Sequence, residues 1–449
     1  MPYLLNTPED RDAMLATIGV GSVDDLFAPI PAELRLGRPL NVPAAMPEME
    51  LTRHMQALAE KNRGGVCFLG GGAYDHFIPS VVDAVAGRSE FYTAYTPYQA
   101  EASQGTLQAV FEFQTLMAQL TGLEVANASL YEGGSAVAEA VLMALGVTGR
   151  TGEVLIAESV HPEYRATLRT YVANLNCRVK ELPTPDGYLN PDDVKAAVND
   201  DTVCVIAQSP NFFGHLESMA EIGAAARKVG APFIASFDPV GVGILKRPGD
   251  YGADIAVAEG QGLGVPLGFG GPYLGILACR NEKEFLRKIP GRLVGQTVDR
   301  NGKRCWVLTL QTREQHIRRE KATSNICTNQ GLLALRAAVH LTALGPQGLK
   351  ETAELCLRKA HYAADVLEAI PGVKMKFSTP FFKEFTIGVP GDANALLAKL
   401  RDRGFLAGLP LGRWYPQYAS AITIAVTEQR TKAEIDALAA ALSDPLSRG

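Results

Sequence analysis

The sequence predicts an α/β protein in which a large, mostly parallel sheet domain is followed by a smaller α/β domain. Between Glu153 and Asp238, short apolar strands alternate with amphipathic helices, which is the pattern of a parallel sheet with right-handed crossovers. A second, shorter alternation occupies residues 351–442. With 449 residues, the chain is also too long for one ordinary domain.

The composition limits the classes of partner and site. The chain is 47% hydrophobic and 20% charged with a formal net charge of -5, so nothing indicates a nucleic-acid partner. Its seven cysteines are scattered without a C-x-x-C pair, and we predict no metal site. The N-terminal residues lack the apolar core of a signal peptide. We therefore expect a cytoplasmic protein with no membrane partner.

The first 65 residues are predicted to form a helical arm. Thr7 is a suitable N-cap, Pro8 suits the first helical position and Gly19 is a stop signal. A second amphipathic helix is predicted over 47–62. We place the large α/β domain at 66–325, a connecting helix at 326–345 and the small α/β domain at 346–449.

A tyrosine-rich loop, YTAYTPYQAEASQG, occupies residues 92–105. Pro97 biases the residue before it away from helix, so Tyr95, Tyr98 and Gln99 are predicted to lie on an extended loop. A phenol suits packing and an interface equally well. The three side chains either pack or border a site.

Glycines open a helix at Gly133, Gly134 and Ser135. Free backbone N–H groups at a helix N-terminus can cradle a phosphate group. The neighbouring Glu132 favours a plain glycine turn instead, because its carboxylate would repel a phosphate dianion. Downstream, His161 follows a predicted strand at a position from which an imidazole could stack on a cofactor ring, although a structural role is equally consistent.

The segment from Asp254 to Gly275 has the layout of a cofactor-anchoring segment. The preceding strand ends in Asp238, and the segment itself contains seven glycines and two prolines after Glu259. An aspartate followed by a Schiff-base lysine is the pattern with which enzymes hold pyridoxal phosphate. Here Gln261 stands where the lysine is expected, and an amide cannot act as that nucleophile.

Four blocks together resemble a known family, namely the segment 254–275 with YTPYQAEASQG (95–105), SLYEGGSAVAEA (129–140) and TREQHIRREKATSNICTNQ (312–330). They are similar to subunit 1 of the two-subunit glycine decarboxylase, the P-protein of the glycine cleavage system. The resemblance implies a fold-type-I pyridoxal-phosphate scaffold. It also implies that the cofactor is held by a partner subunit, with none covalently on this chain.

The resemblance further implies decarboxylation of glycine and transfer of the aminomethyl group to the lipoyl arm of the H-protein. For this chain we expect a vestigial pocket, formed by Gly133, Gly134, Ser135, His161, Asp238 and Gln261. We also expect a contribution to the partner's site from Tyr95, Tyr98 and Gln99. Two alternatives stay open. One is a self-sufficient pyridoxal enzyme, which Gln261 disfavours, and the other is a catalytically inactive scaffold or regulatory subunit.

Residues 280–321 carry an excess of positive charge. Twelve lysines and arginines stand against five acids in a chain whose total charge is -5. A solvated face is the ordinary explanation. A docking surface for an acidic partner is the more specific hypothesis.

Overall fold

The computed structural model describes residues 5–62, 64–310 and 322–447, and the chain divides into two compact units at residues 63 and 64. The first unit contains α1 (Pro8–Ile18) and α2 (Glu48–Ala59). Thr7 caps α1 by accepting from the Asp10 N–H at 3.2 Å, and Gly19 ends the helix with a φ of 85°. The predicted start and stop of this helix are confirmed.

The second unit begins with elements that alternate along the chain. In order they are β1 (Val66–Cys67), α3 (Ser80–Ala86), α4 (Ser89–Tyr92), α5 (Gln104–Thr121), β2 (Val125–Ala126), α6 (Gly133–Thr148), β3 (Glu153–Ala157), α7 (Pro162–Val172), β4 (Arg178–Leu182), α8 (Pro191–Ala197), β5 (Thr202–Ser209), α9 (Met219–Lys228), β6 (Phe233–Phe237), β7 (Ile255–Glu259) and β8 (Gly275–Cys279). The short helix α8 was not predicted.

The remaining elements follow in the same unit. They are α10 (Lys283–Leu286), β9 (Leu293–Val298), β10 (Arg304–Thr309), α11 (Gly331–Glu368), β11 (Lys374–Met375), β12 (Glu384–Gly388), α12 (Ala393–Asp402), β13 (Phe405–Leu406), β14 (Leu409–Pro410), β15 (Ala421–Ala425) and α13 (Lys432–Ser447). The antiparallel hairpin of β9 and β10 lies in the basic segment, where the sequence pattern did not indicate strands.

A seven-stranded sheet forms the centre of this unit, in the order β2-β8-β7-β6-β5-β3-β4. The strands from β4 across to β7 pair in parallel, and β8 runs antiparallel to both of its neighbours. The prediction of a mostly parallel sheet is confirmed. Strands β5 and β6 are buried almost along their length, because helices cover both faces of such a sheet.

The long helix α11 begins later than expected. The predicted connecting helix started at residue 326, whereas α11 starts at Gly331, so that boundary is wrong. The helical path is interrupted at Gly345, whose φ of 62° is not helical. Pro346 explains the break, because proline disfavours helical geometry in the residue before it. The proposed boundaries between domains, at 325/326 and 345/346, stay predictions.

A four-stranded sheet, ordered β11-β12-β15-β14 and antiparallel throughout, forms a second layer with α11 and α13. A single strand was predicted over 406–409. It is instead split into β13 and β14 by Gly408, whose φ is 132°, a conformation that favours glycine. Among the helices of the described residues, we find none with the length and apolar character needed to cross a membrane.

Candidate functional site

The predicted pocket residues meet at one edge of the seven-stranded sheet. Asp238 directly follows β6 and Gln261 lies two residues beyond β7, and these strands are parallel neighbours. Carboxyl ends of parallel strands share one edge of a sheet, where ligands commonly bind. Asp238 lines a small cavity there together with Tyr164 and Glu259, and Glu259 also contacts the start of α6.

Asp238 is paired with a lysine that the sequence analysis did not single out. Its Oδ2 atom lies 2.6 Å from Nζ of Lys383, which directly precedes β12 and is only 2% exposed. Its Oδ1 atom accepts from the Val240 N–H at 2.9 Å. Burial opposes the charged carboxylate, but the Lys383 ammonium outweighs it and lowers the pKa of Asp238. The two groups therefore form a buried ion pair.

The Lys383 ammonium is the first member of a hydrogen-bond network. It lies 3.0 Å from Nε2 of His76 and 3.6 Å from the centre of the Tyr74 ring. The opposite ring nitrogen of His76 lies 2.6 Å from Glu428, which also accepts from the Cys356 thiol at 3.4 Å. Although burial opposes ionisation, the hydrogen bond from His76 contributes to lowering the pKa of Glu428 to about 2.

Three side chains of that hydrogen-bond network are groups that can ligate metals. The ligand atoms of His76, Cys356 and Glu428 all lie within 4.8 Å of one another. However, they already hydrogen-bond to each other, and the ammonium of Lys383 stands against the second nitrogen of the imidazole. A cation would have to displace these bonds beside an existing positive charge. The arrangement therefore fits a polar network better than a metal centre.

Gln261 is a buried cross-link between two loops. Its Oε1 atom accepts from the Tyr74 N–H at 2.7 Å, and its amide nitrogen donates to the Val265 carbonyl at 2.7 Å. The same nitrogen also reaches the Tyr74 carbonyl at 3.1 Å. The amide thus supplies both donors and an acceptor to backbone groups, a role that a lysine could fill only in part.

Two carboxylates occupy the beginning of α6. Both oxygens of Glu132 accept from the Ser135 N–H at 3.0 Å, and Oε2 of Glu259 accepts from the Gly133 N–H at 3.0 Å. Glu132 also hydrogen-bonds to the Ser135 hydroxyl. Burial raises the pKa of Glu259 to about 8, against the backbone donors that favour its ionised form. This geometry favours the capped helix start over a phosphate cradle.

His161 stacks on a tyrosine of its own chain. It is the N-cap of α7, and its ring lies 4.4 Å from that of Tyr164 at an interplanar angle of 18°. Its Nε2 atom lies 2.7 Å from the Gly71 carbonyl, while Nδ1 accepts from the Glu163 N–H. Burial lowers the pKa of His161 to about 4, so the neutral imidazole is the form at neutral pH.

The space that remains among these side chains is too small for a cofactor. The cavity bounded by Tyr74, Tyr164, Asp238, Glu259 and Lys383 has a volume of about 30 Å³, whereas pockets for small ligands measure about 300–1,000 Å³. The aspartate already has a cation, and the helix N-terminus already has carboxylates. The residues of this chain do not fit pyridoxal phosphate.

The tyrosine loop lines a different and open cleft. Tyr95 and Tyr98 are 76% and 52% exposed, and Tyr95 borders a cleft of about 240 Å³ with Arg292, Asn329 and the first turn of α11. Arg292 donates to the Thr96 hydroxyl at 3.3 Å and lies 5.8 Å from the centre of the Tyr98 ring. Gln99 follows in the same exposed loop. The structure thus places the predicted residues in two separate regions.

The sequence and the fold both match one family along nearly the whole chain. The family model described as "Glycine cleavage system P-protein" matches residues 1–442. Relatives named "Probable glycine dehydrogenase (decarboxylating) subunit 1" are each 52% identical, in Moorella thermoacetica over 98% of this chain and 99% of the relative, and in Geotalea uraniireducens over 99% and 100%. This chain belongs to the glycine cleavage system P-protein family.

Solved structures agree with the assignment to the P-protein family. An inhibitor-bound glycine decarboxylase (P-protein) has a TM-score of 0.90 with 45% identity, covering 99% of this chain and 100% of that one. A sphingosine-1-phosphate lyase of Burkholderia pseudomallei has a TM-score of 0.67 with 16% identity over 93% and 94% of the two chains. The fold is that of fold-type-I pyridoxal-phosphate enzymes, as predicted.

Sequence reasoning missed the residues that close the pocket of this P-protein chain, chiefly Lys383, Glu259 and Tyr164. A Schiff-base lysine is expected between Asp238 and Arg280, where the sequence has only Lys246, and Lys383 lies far beyond that range. A signal was present, because Lys383 and Glu384 open an otherwise apolar strand in FFKEFTIG. Strand side chains alternate between faces, so at least one of two adjacent charges at such a position is expected to point inward.

Proposed function

We propose that this chain is the cofactor-free subunit of a two-subunit glycine decarboxylase. In this proposal a second subunit holds pyridoxal phosphate, and the complex decarboxylates glycine and transfers the aminomethyl group to the lipoyl arm of the H-protein. The observation that carries the proposal is the closed pocket, in which Gln261 and the Asp238–Lys383 pair leave no place for the cofactor. The names of the relatives, which are first subunits, support it.

In the complex, the tyrosine loop is proposed to border the partner's active site. Tyr95 and Tyr98 are exposed, and the cation–π contact with Arg292 holds the ring of Tyr98 in place. Gln99 adds an amide that can both donate and accept. Glycine offers only a carboxylate and an amine for recognition, so polar side chains on a held loop suit that substrate.

The basic segment 280–321 is proposed to help dock an acidic partner, either the lipoyl carrier or the second subunit. Within its described part, Arg280 is paired with Asp254 at 3.0 Å and with Glu282 at 3.2 Å, so that arginine contributes little net charge. Arg292 is buried. The remaining excess includes Arg313, Arg318 and Arg319, which lie outside the described residues.

Reconstitution tests the proposed function. The full chain, the second subunit and their mixture are each incubated with glycine and lipoylated H-protein, and release of carbon dioxide is measured. We expect turnover from the mixture and none from this chain alone, because its pocket does not accept the cofactor. Full turnover by the second subunit alone would contradict the proposal and favour the inactive scaffold. Association that leaves the partner's rate unchanged would do the same.

A further inference from the structure

The closed pocket presents charges of its own at both ends. In enzymes of this fold class, pyridoxal phosphate places a protonated pyridine nitrogen against an aspartate and a phosphate against a helix N-terminus. In this chain, the corresponding aspartate and helix N-terminus face a side-chain cation and side-chain carboxylates. The signs of the charges match those of the two ends of the cofactor.

We propose that Lys383 and Glu132 replace the two charged ends of the cofactor, and that Glu259 fills the space beside Glu132. In this proposal the chain's own side chains exclude the cofactor from the pocket. The absence of a lysine at position 261 is then only one of the reasons why the pocket does not bind the cofactor. This inference rests on the same closed pocket as the proposed function, but its test uses this chain alone and measures cofactor binding, so it can fail while the partnership with a second subunit holds.

At the cationic end of the pocket, Lys383 takes the place of the cofactor's pyridinium beside Asp238. Nζ of Lys383 lies 2.6 Å from Asp238 and 3.6 Å from the centre of the Tyr74 ring, and the side chain is 2% exposed. The Nε2 atom of His76 lies 3.0 Å away and can accept a third contact. An ammonium so enclosed neutralises Asp238 as a pyridinium would, without any ligand from solution.

At the anionic end, carboxylates and a phenol fill the space. The Gly133 and Ser135 N–H groups donate to Glu259 and Glu132. The Tyr164 ring covers the first turn of α6 so closely that a Cβ atom on Gly133 would lie 2.3 Å from its hydroxyl. A phosphate would have to displace both the carboxylates and the ring.

A set of variants of the full chain separates this inference from the simpler absence of a lysine. Gln261→Lys alone restores the nucleophile, and Gln261→Lys with Lys383→Ala and Glu132→Ala also removes the side chain that blocks each end. Each protein is incubated with pyridoxal phosphate, reduced with borohydride and mapped by peptide mass. The thermal unfolding midpoint is recorded with and without the cofactor.

We expect no adduct at position 261 and no cofactor-dependent midpoint for the wild type or for Gln261→Lys. We expect an adduct at position 261 and a raised midpoint for the triple variant, because a ligand that binds the folded state stabilises it. One adduct per chain in Gln261→Lys alone would overturn the inference. A folded triple variant that neither forms an adduct nor gains stability would also overturn it.

A second measurement keeps the inference testable if the triple variant does not fold. Lys383→Ala leaves a cation-sized space beside Asp238, and ethylammonium chloride is added to this variant during unfolding. We expect ethylammonium to recover part of the lost midpoint, with no such gain for Lys350→Ala, whose lysine is exposed and only loosely paired with Glu354 at 3.8 Å. Equal responses of the two variants would contradict the role of Lys383 as a replacement cation.

Discussion

The closed pocket and the open cleft are built from similar side chains, but those of the pocket are buried and bonded to one another, whereas the tyrosines of the cleft are exposed. The closed pocket, of about 30 Å³, contains tyrosines, carboxylates and a lysine that bond to one another. The open cleft, of about 240 Å³, is bordered by tyrosines that face solvent and by a buried arginine. A buried charge requires a partner, whereas an exposed phenol does not.

The difference indicates separate roles: the contacts of the closed pocket lie within the chain, whereas the exposed surface of the open cleft is available to another molecule. In the closed pocket, Asp238, Gln261 and Lys383 connect the ends of sheet strands to the loop around Tyr74 and to β12. These contacts hold the fold together. Tyr95 borders the cleft, and Tyr98 on the same loop adds exposed aromatic surface beside it, which suits an interface. Substitutions in the two regions should therefore affect different measurements.

The largest effect is expected from Lys383→Ala in the closed pocket. Removing one member of a buried ion pair leaves the other charge uncompensated, which typically costs about 3–5 kcal/mol. Here the charge left behind is that of Asp238, 2.6 Å from the lysine nitrogen. We expect the free energy of unfolding, measured by urea denaturation of the full chain, to fall by about that amount.

Lys350→Ala is the matched control, because this lysine is half-exposed and its weak pair with Glu354 spans 3.8 Å. Its loss should change the free energy of unfolding by less than about 0.5 kcal/mol. If the two lysine variants were equally stable, Lys383 would not carry a buried charge and the closed pocket would be solvated.

A smaller effect is expected from Gly133→Ala at the start of α6. The added Cβ atom would meet the Tyr164 hydroxyl at 2.3 Å and the adjacent ring carbon at 2.6 Å. Overpacking of this kind costs about 1–3 kcal/mol. The comparison is with Gly105→Ala, at the start of α5, where a Cβ atom would meet no atom of the described residues within 4 Å.

Gly105→Ala should leave the protein unchanged or stabilise it by up to about 1 kcal/mol, because alanine restricts the unfolded chain. Differential scanning calorimetry of both variants tests the pair. A Gly133→Ala variant as stable as Gly105→Ala would show that Tyr164 moves away freely, so that the pocket is not closed by packing.

The sequence predicted the strands and helices of the closed pocket well, because these elements have clear apolar periodicity and glycine or proline at their ends. Asp238 and Gln261 were also placed correctly at strand ends. What it did not predict was the partner of Asp238, since Lys383 lies 145 residues further along the chain. No local pattern pairs residues at that separation.

The cleft was predicted less completely, for a related reason. Pro97 and the tyrosines indicated an extended loop, which the structure contains. Arg292 belonged, in the sequence, to a basic segment that suggested a solvated face, yet it is buried and contacts Thr96 and Tyr98. Its role depends on packing between α5, the hairpin β9–β10 and the loop, which a charge pattern cannot show.

The smallest effect on stability, and the one that tests the tyrosine loop beside the open cleft, is expected from Tyr98→Phe. Phenylalanine keeps the ring near the Arg292 guanidinium, 5.8 Å from the ring centre, so the free energy of unfolding should fall by no more than about 1 kcal/mol, the typical net contribution of one hydrogen bond. If the hydroxyl contacts the substrate in the partner's site, losing one hydrogen bond to a charged group should lower glycine decarboxylation by the reconstituted complex about tenfold. Tyr188→Phe, which removes the hydroxyl of a half-buried tyrosine outside the tyrosine loop, should leave turnover unchanged. A Tyr98→Phe complex that assembles normally and turns over at the parental rate would mean that Tyr98 only packs in the interface, and the cleft would then serve association and not chemistry.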